Sequence, residues 1–232
     1  MIANSFAPET NQKNRMAKVF IINGGQIFEE SKGTFNRTLT ELTAAFLTEK
    51  GDEVRIADIN QEFDPMQEAS NFTWADLIIF HTPIWWFQLP YGLKRYIDLV
   101  FQNGRGQIYE NDGRTRTNPE INYGTGGLLH GKKYMVTSSW NAPEGSFTLE
   151  GELMGQTSVD DGVLFGFHIA MKFVGLTKLD GFHFYDIVKG LTPARYDDYR
   201  ADYLSHLKHT LEPHLGTTPN ANLSYSTHQK QA

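Results

Sequence analysis

Apolar positions along the chain fall into two patterns. Short, nearly continuous apolar runs such as KVFIIN and DLIIFH have the length and composition of strands that are buried on both faces of a parallel sheet. The segment EVRIA alternates instead, as a strand nearer the edge of a sheet would. These patterns predict five strands, at Lys18–Asn23, Glu53–Ala57, Asp76–His81, Lys133–Ser138 and Gly181–Tyr185.

Segments with helical periodicity separate the strands. Apolar residues from Phe35 to Phe46 recur every three or four positions, which is typical of one buried helix face. Four helices are predicted: from Phe35 to a stop at Gly51, from Pro90 to about Phe101, over Val163–Val174 with Asp160 and Asp161 as N-cap candidates, and over Arg195–Leu211. Strands that alternate with helices predict an α/β fold with a doubly wound parallel sheet.

The alternation covers residues 17–215 without an internal repeat or a linker, so we predict a single domain there. Residues 1–16 and 216–232 are polar and patternless, and we expect weakly ordered tails. In a doubly wound sheet, ligands bind outside the carboxyl ends of the strands. The candidate binding segments are therefore Gly24–Thr34, His81–Pro90 and Ser139–Phe147, together with the long insertion Gln102–Gly131.

The first candidate loop leads into a helix through SKGTFNRT, which comprises Ser31, Lys32, Gly33, Thr34, Phe35, Asn36, Arg37 and Thr38. Its hydroxyls, its amide and the free N–H groups of a helix start suit phosphate oxygens, and its two cations suit a pyrophosphate. The alternative is an ordinary Ser, Thr or Asn helix cap. The segment matches neither G-x-G-x-x-G nor G-x-x-x-x-G-K-[ST], which favours the flavodoxin-like sheet, with strand order 2-1-3-4-5, over dehydrogenases and ATPases.

The second candidate loop reads HTPIWWFQLP. In the flavodoxin-like order it lies beside the first loop, so Ile84, Trp85, Trp86 and Phe87 are candidate contacts of a flat cofactor ring. The alternative is a pair of tryptophans in the core or in a dimer interface.

Two further segments are candidates for the remaining side of a ring. After the fourth strand come Ser139, Trp140, Asn141 and Ala142, for which the alternative is a simple turn. The insertion contains Tyr123 within YGTGG, where glycines permit close backbone approach and the tyrosine offers both a ring and a hydroxyl. A mobile glycine loop is the alternative there.

Composition narrows the classes of function. The formal net charge of −6 disfavours nucleic acid and anionic membrane surfaces as partners. No apolar stretch approaches the ~20 residues of an integral membrane segment, and the N-terminus lacks a secretory pattern, so we expect a cytoplasmic protein. The chain has no cysteine, so redox chemistry would require a cofactor. His206 and His209 lie on the last helix, where a solvated face is favoured, and no metal is predicted.

Six segments, in order between about Val19 and Leu207, carry a resemblance to a known family: SKGTFNRT, TPIWWFQLPYGLKRYIDLVF, IYENDGRTR, YGTGGLLHGKKYM, SWNAP and VDDGVLFGFH. The chain resembles the flavodoxin-like NAD(P)H:quinone oxidoreductases of the modulator of drug activity B type. Ile84 stands at a position that is often glycine in that family, and both tails lie outside the resemblance.

The resemblance implies a homodimer with FAD at each subunit interface. It implies pyrophosphate contacts at Ser31–Thr38, flavin contacts at Ile84–Phe87, and further FAD contacts at Tyr123 and Ser139–Ala142. NADPH would donate a hydride to the flavin, and a quinone would then take two electrons in the same pocket, with Tyr123 orienting or protonating it. Candidate partners of the nucleotide phosphate are Lys94, Arg114 and Arg116.

Two alternatives stay open from the sequence. One is an FMN-dependent reductase of the same fold that acts on azo, nitro or chromate substrates. The other is a carrier or binding protein, either a one-electron flavodoxin or a flavin-fold ancillary subunit that regulates a membrane transporter. The insertion Gln102–Gly131 disfavours a minimal carrier, which has little need of a substrate roof.

Overall fold

The computed structural model describes residues 16–215. Its strands are β1 (Lys18–Asn23), β2 (Glu53–Asp58), β3 (Leu77–Pro83), β4 (Lys133–Ser139), β5 (Thr177–Lys178) and β6 (Phe182–Phe184). They form a parallel sheet with the order β2-β1-β3-β4-β5, with β6 also paired to β4. This order confirms the predicted flavodoxin-like doubly wound sheet. The predictions for the two tails, apart from the exposed Met16, lie outside the described residues.

Helices cover both faces of the sheet. They are α1 (Thr34–Glu49), α2 (Pro65–Trp74), α3 (Tyr91–Asn103), α4 (Gly145–Thr148), α5 (Phe165–Phe173) and α6 (Pro193–Leu211). Alternate residues of a strand face opposite sides, so the central strands build two cores. Phe20, Ile22, Ile78 and Phe80 belong to the core that also contains residues of α2, α3 and α5. Val19, Ile21, Leu77 and Ile79 belong to the core with residues of α1 and α6. Burial on both faces explains the continuous apolar runs of β1 and β3.

Helix α2 is absent from the sequence prediction. Asp64 is its N-cap and accepts a hydrogen bond from the N–H of Met66 at 2.9 Å, and Pro65 is its first residue. The Asp-Pro pair is a typical helix start. It could have marked this helix, which the hydrophobic pattern alone did not. The fifth predicted strand, Gly181–Tyr185, corresponds to β6, which pairs with the end of β4. The two-residue strand β5, which pairs with the beginning of β4, is absent from the sequence prediction.

The N-cap prediction for Asp160 and Asp161 is wrong. Helix α5 begins later, with Leu164 as its N-cap and no side-chain cap. Asp160 instead accepts from Nε2 of His168 at 2.9 Å and forms an ion pair with Lys178, while Asp161 accepts from Ser158 Oγ at 2.7 Å. The residues between Asp161 and the helix form a turn, which removes both carboxylates from the helix start.

Candidate functional site

Three loops meet at one edge of the sheet. Asn23 of β1 is in register with His81 of β3, and Pro83 of β3 is in register with Ser139 of β4. The N–H of Ile84 continues the ladder by donating to Ser139 O at 3.0 Å. The structure therefore brings together the three strand-end loops that the sequence selected, and we call this edge the rim.

The first loop ends in a helix start that lacks a side-chain cap. Gly33 is the N-cap of α1, with a φ of 63° in the left-handed region. A Cβ at this position would lie 2.2 Å from Gly25 O, so only glycine fits. The first intrahelical bond runs from the N–H of Arg37 to Gly33 O at 3.1 Å. The preceding N–H groups therefore lack an intrahelical partner, which is a geometry that suits an anion. The alternative of a Ser, Thr or Asn cap is wrong, because α1 has no side-chain cap.

Side chains of this segment divide between solvent and core. Lys32, Thr34 and Arg37 are exposed, and Thr38 is half-buried. Phe35 packs against Phe184 with ring centroids 5.2 Å apart. The segment Ser31–Thr38, which we call the cradle, therefore offers its backbone and a few exposed polar groups to a ligand.

One amide of the cradle faces inward. Asn36 is 3% exposed, and its Nδ2 donates to Ser139 Oγ at 3.1 Å. Its Oδ1 is buried and has no hydrogen-bond partner among the described residues. The amide joins α1 to β4 beneath the rim, so its side chain supports the cradle from below.

The second loop forms a tight turn with an unusual backbone. Trp85 and Gln88 exchange two backbone hydrogen bonds of 3.0 Å, and the two residues between them, Trp86 and Phe87, have φ of 48° and 60°. Positive φ at both central positions is the geometry of a type I′ turn, which normally selects Asn and Gly. Bulky residues in this conformation are outliers, and such strain is concentrated at functional sites. We call residues 84–88 the ring turn.

The two tryptophans of the ring turn differ in their surroundings. Trp86 is 93% exposed, and Phe87 is exposed beside it. Trp85 is half-buried and packs 5.8 Å from the ring of Phe28 in the first loop. For Trp86 the alternative of a core residue is wrong.

The third loop directs its largest side chain inward. Trp140 is buried, donates from Nε1 to Ser138 Oγ at 2.7 Å and packs against Phe147. Asn141 is exposed and Ala142 is half-buried. The side chain of Trp140 therefore belongs to the core, and its backbone is also engaged, because its N–H donates to Phe184 O at 2.8 Å and its carbonyl accepts from the N–H of Ile187 at 2.9 Å.

Tyr123 lies on a groove beside the rim. This groove, of about 1000 Å³, runs between α3 and α5 and includes Gln88 and Tyr91 from the end of the ring turn and the start of α3. Tyr123 is exposed and its ring centroid lies 5.6 Å from that of Phe173. Within one chain the structure places Tyr123 on the groove wall rather than among the three rim loops.

The three residues predicted to contact the nucleotide phosphate differ in whether they already form an ion pair. Lys94 Nζ contacts Asp98 Oδ1 at 2.6 Å, and Arg114 Nη2 contacts Asp112 Oδ2 at 2.7 Å. Each of these cations is therefore already paired with a carboxylate. Arg116 is exposed, and no ion pair is found for it within residues 16–215.

One buried and one half-buried histidine lie under or beside the rim. His81 is fully buried at the end of β3, where its Nδ1 is 2.7 Å from Thr137 Oγ1, and burial lowers its pKa to about 3. The Nδ1 of His183 is 2.7 Å from Ser138 Oγ, and burial, partly offset by Asp160, lowers its pKa to about 4. Both are neutral at pH 7, so neither brings a positive charge to the rim.

The described part of the chain lacks both a metal-binding cluster and a membrane-spanning helix. There, no group of three or more His, Asp or Glu side chains is arranged to hold a metal. His206 contacts Asp180 O through Nε2 at 3.0 Å. Between residues 16 and 215, no helix has both the length and the hydropathy that crossing a membrane requires.

Sequence reasoning missed Gln26 and Asn60, which hold the first loop in place. Gln26 is buried, and its side chain reaches α3. Asn60 hydrogen-bonds the backbone of Gly25 and Ile27, the two residues that flank Gln26. Gln26 and Asn60 are both polar residues close to the ends of strands, which is the signal that could have marked them. Their partners are distant in sequence, so the pattern alone could not reveal them.

Comparisons with known proteins agree with this architecture. The family model described as a flavodoxin-like fold matches residues 17–207. The NADPH:quinone oxidoreductase MdaB of Haemophilus influenzae is 40% identical over 191 residues, which cover 82% of this chain and 97% of that protein.

Solved structures show the same fold at lower identity. A candidate quinone reductase from Klebsiella pneumoniae has a TM-score of 0.65 at 22% identity and covers 83% of this chain and 84% of its own. General stress protein 14 of Treponema denticola, solved with FMN, has a TM-score of 0.58 at 19% identity and covers 84% of this chain and 99% of its own. From the family model and the MdaB relative together, we conclude that the chain belongs to the flavodoxin-like fold family.

Proposed function

We propose that the protein is an FAD-dependent NAD(P)H:quinone oxidoreductase that reduces quinones to quinols by a ping-pong hydride mechanism in the cytoplasm. The observation that carries the proposal is the ring turn, an exposed and strained aromatic turn that lies at the same sheet edge as the uncapped N-terminus of α1. The 40% identity to MdaB, over nearly all of that protein, supports the same activity.

Several features of the rim support the proposal of FAD. Free N–H groups at the start of α1, with Lys32 and Arg37 exposed nearby, suit the two charges of a pyrophosphate. The two backbone bonds of the ring turn leave the N–H groups of Trp86 and Phe87 unused, so these groups are available as donors to the polar edge of a flavin. Exposed aromatic rings beside them can cover the face of the flavin.

When bound, the flavin supplies the redox chemistry, since it accepts a hydride from NAD(P)H and passes two electrons to a quinone. The chain itself has a positioning role. The ring turn holds one face of the cofactor site, and the hydroxyl of Tyr123 is proposed to orient or protonate the acceptor. The exposed Arg116 is the better candidate for the 2′-phosphate of NADPH, because Lys94 and Arg114 already pair with carboxylates.

A homodimer is part of the proposal. Tyr91, Tyr123, Phe165 and Ile169 are exposed apolar side chains that line the groove next to the exposed Trp86. Contiguous exposed apolar surface of this kind marks an interaction site, and a second copy that covers it would exclude water from the flavin. Light scattering coupled to gel filtration tests this, and a monomeric flavin-loaded protein would refute it.

FMN is the competing cofactor. General stress protein 14 of Treponema denticola, at 19% identity, was solved with FMN, and the cradle could hold the single phosphate of FMN as well as a pyrophosphate. The mass of the flavin released on denaturation decides between the two. FAD supports the proposal, and FMN favours the alternative of an azo, nitro or chromate reductase.

The central experiment is anaerobic stopped-flow mixing of the flavin-loaded protein, first with NADPH or NADH and then with a benzoquinone. We expect the flavin absorbance to bleach in one two-electron step and to return when the quinone is added. A flavin that is not reduced by either nucleotide, or that is not reoxidised by the quinone, would refute the reductase. A faster reaction with NADPH than with NADH would support the preference for NADPH.

A further inference from the structure

One side chain of the β1–α1 loop reaches across to the helix that follows the ring turn. Gln26 is 5% exposed, and its Oε1 accepts a hydrogen bond from the N–H of Gly92 at 2.8 Å. Gly92 is the second residue of α3, whose own N-cap residue, Pro90, supplies no side-chain cap. Gln26 therefore satisfies an N–H of α3 that the local sequence leaves open.

The carbonyl of the same residue contacts the cradle. Ser31 Oγ donates to Gln26 O at 3.2 Å. Gly33 packs against the same stretch of backbone, because a Cβ on it would lie 3.6 Å from the carbonyl carbon of Gln26. Gln26 thus contacts both the cradle and the helix that begins directly after the ring turn.

Neighbouring contacts leave this loop little freedom. The N–H of Ile27 donates to Asn60 Oδ1 at 2.8 Å, and Asn60 Nδ2 donates to Gly25 O at 3.0 Å. Phe28 packs 5.8 Å from both Trp85 and Tyr91, measured between ring centroids. The loop is therefore attached to β2 on one side and to the ring turn on the other.

The space around the Gln26 side chain is equally restricted. A Cβ on Gly92 would lie 2.7 Å from Oε1 of Gln26, so the glycine is what allows the amide to come this close to α3. With its backbone held and its amide confined, Gln26 acts as a spacer of defined length between the cradle and α3.

We propose that Gln26 is a positioning residue that sets the separation between the cradle and the ring turn, so that one FAD molecule engages both at once. The inference rests on the proposed function, in which the pyrophosphate lies at the cradle and the flavin at the ring turn. A ligand that joins two binding groups gains affinity only where the geometry allows both to bind simultaneously. Loss of the spacer should therefore weaken FAD much more than it weakens either half of FAD.

The test compares three ligands on the full chain. Riboflavin probes the ring turn alone, ADP probes the cradle alone, and FAD probes both, with dissociation constants measured by flavin fluorescence and by competition. For Gln26→Leu we expect the dissociation constant of FAD to rise tenfold or more, while those of riboflavin and ADP change by less than about threefold. For Gln26→Glu we expect the ratio of FAD affinity to ADP affinity to stay near wild type, because a carboxylate oxygen also accepts from Gly92 while its negative charge repels the phosphates of both ligands alike.

A matched control separates this role from simple stability. Asp64→Ala removes a comparable helix cap, on α2, whose atoms contact neither the cradle nor the ring turn. It should lower the melting temperature without changing the ratio of FAD affinity to fragment affinity. If Gln26→Leu does not fold, Gly92→Ala is the second variant. Its methyl group would displace the amide while Gln26 stays in place, and we expect the same selective loss of FAD.

Several outcomes would overturn the inference. One is a Gln26→Leu variant that binds FAD within threefold of wild type. Another is equal weakening of FAD, riboflavin and ADP, which indicates a merely structural role. In both cases wild type still binds FAD and the proposed function stands. Failure of the wild-type chain to bind FAD would instead refute the proposed function itself.

Discussion

The cradle and the ring turn lie at the same edge of the sheet but are held in opposite ways. The cradle is a relaxed structure, in which a glycine takes the left-handed conformation and side chains of the neighbouring strand ends fix the loop before it. The ring turn places two bulky aromatic residues in that same conformation, where each costs of the order of 1–3 kcal/mol. A side chain added in the cradle would break its close packing, whereas a substitution in the ring turn can relieve strain. Substitutions in the two loops should therefore change the free energy of unfolding in opposite directions.

The largest effect is expected from Gly33→Ala in the cradle. The new methyl group would lie 2.2 Å from Gly25 O at a φ of 63°, so we expect the free energy of unfolding to fall by about 3 kcal/mol or more and flavin to be lost. Gly131→Ala is the matched control, since Gly131 also has positive φ but has nothing within 4 Å of a Cβ. Its cost should be about 1 kcal/mol, from backbone conformation alone. Equal losses in urea unfolding would show that the contact with Gly25 is unimportant.

Acid should weaken the strand that carries the ring turn. His81 has a pKa of about 3 in the folded protein and about 6.5 when unfolded. The unfolded state therefore binds the extra proton first, and stability falls as the pH drops from about 6.5 towards 3, by up to about 1.4 kcal/mol per pH unit.

The pH dependence of stability reflects the number of protons taken up on unfolding. His81→Asn should lower that number by up to one between pH 6 and 4.5, and the slope is measured by urea unfolding at each pH. His183→Asn is the parallel variant. The pKa of His183 is also lowered by folding, so His183 likewise makes stability fall as the pH drops, and this effect ends near its folded pKa of about 4. An unchanged slope in both variants would mean that neither histidine is kept neutral by the fold.

Relief of strain in the ring turn should have a smaller effect, of opposite sign. Trp86→Asn replaces an exposed tryptophan by a residue that tolerates positive φ, so we expect the flavin-free protein to be stabilised by about 1 kcal/mol. Flavin affinity and quinone turnover should fall, as expected for strain that serves function. Leu153→Asn is the control, because Leu153 is exposed and does not have a positive φ. It should change neither the stability of the flavin-free protein nor its flavin affinity. A lower melting temperature for Trp86→Asn would indicate that the turn is unstrained.

The smallest effect is expected at Tyr123, which belongs to neither loop. The quinol anion is readily protonated by water, so Tyr123→Phe should lower kcat with a benzoquinone by no more than about threefold. The ring, which packs on Phe173, is kept in this variant. Tyr123→Ala removes the ring as well and serves as the comparison. A loss of a hundredfold or more in the Phe variant would make the hydroxyl a catalytic group.

Local patterns predicted most of the architecture. The type and order of these elements followed from the apolar runs of β1 and β3, the periodicity of α1 and the proline before α3. A strand buried on both faces leaves a continuous apolar run, whereas a helix buried on one face leaves apolar residues three or four positions apart. The failures were of two kinds: α2 was missed altogether, and a prediction that depended on an exact boundary was wrong. Asp160 and Asp161 are close enough to α5 to suggest a cap, but a turn separates them from its first residue.

The sequence by itself determined the sheet, the loops at its carboxyl edge, and the segments Ser31–Thr38 and Ile84–Phe87 as candidates, because residue types and spacing are local properties. Only the tertiary structure decided that Trp86 faces solvent while Trp140 faces the core, and that Tyr123 lines a groove. It alone also revealed the contact of Gln26 with Gly92, which joins residues 66 positions apart. Such contacts depend on how strands are ordered and where loops meet in space, and one sequence carries no direct record of either.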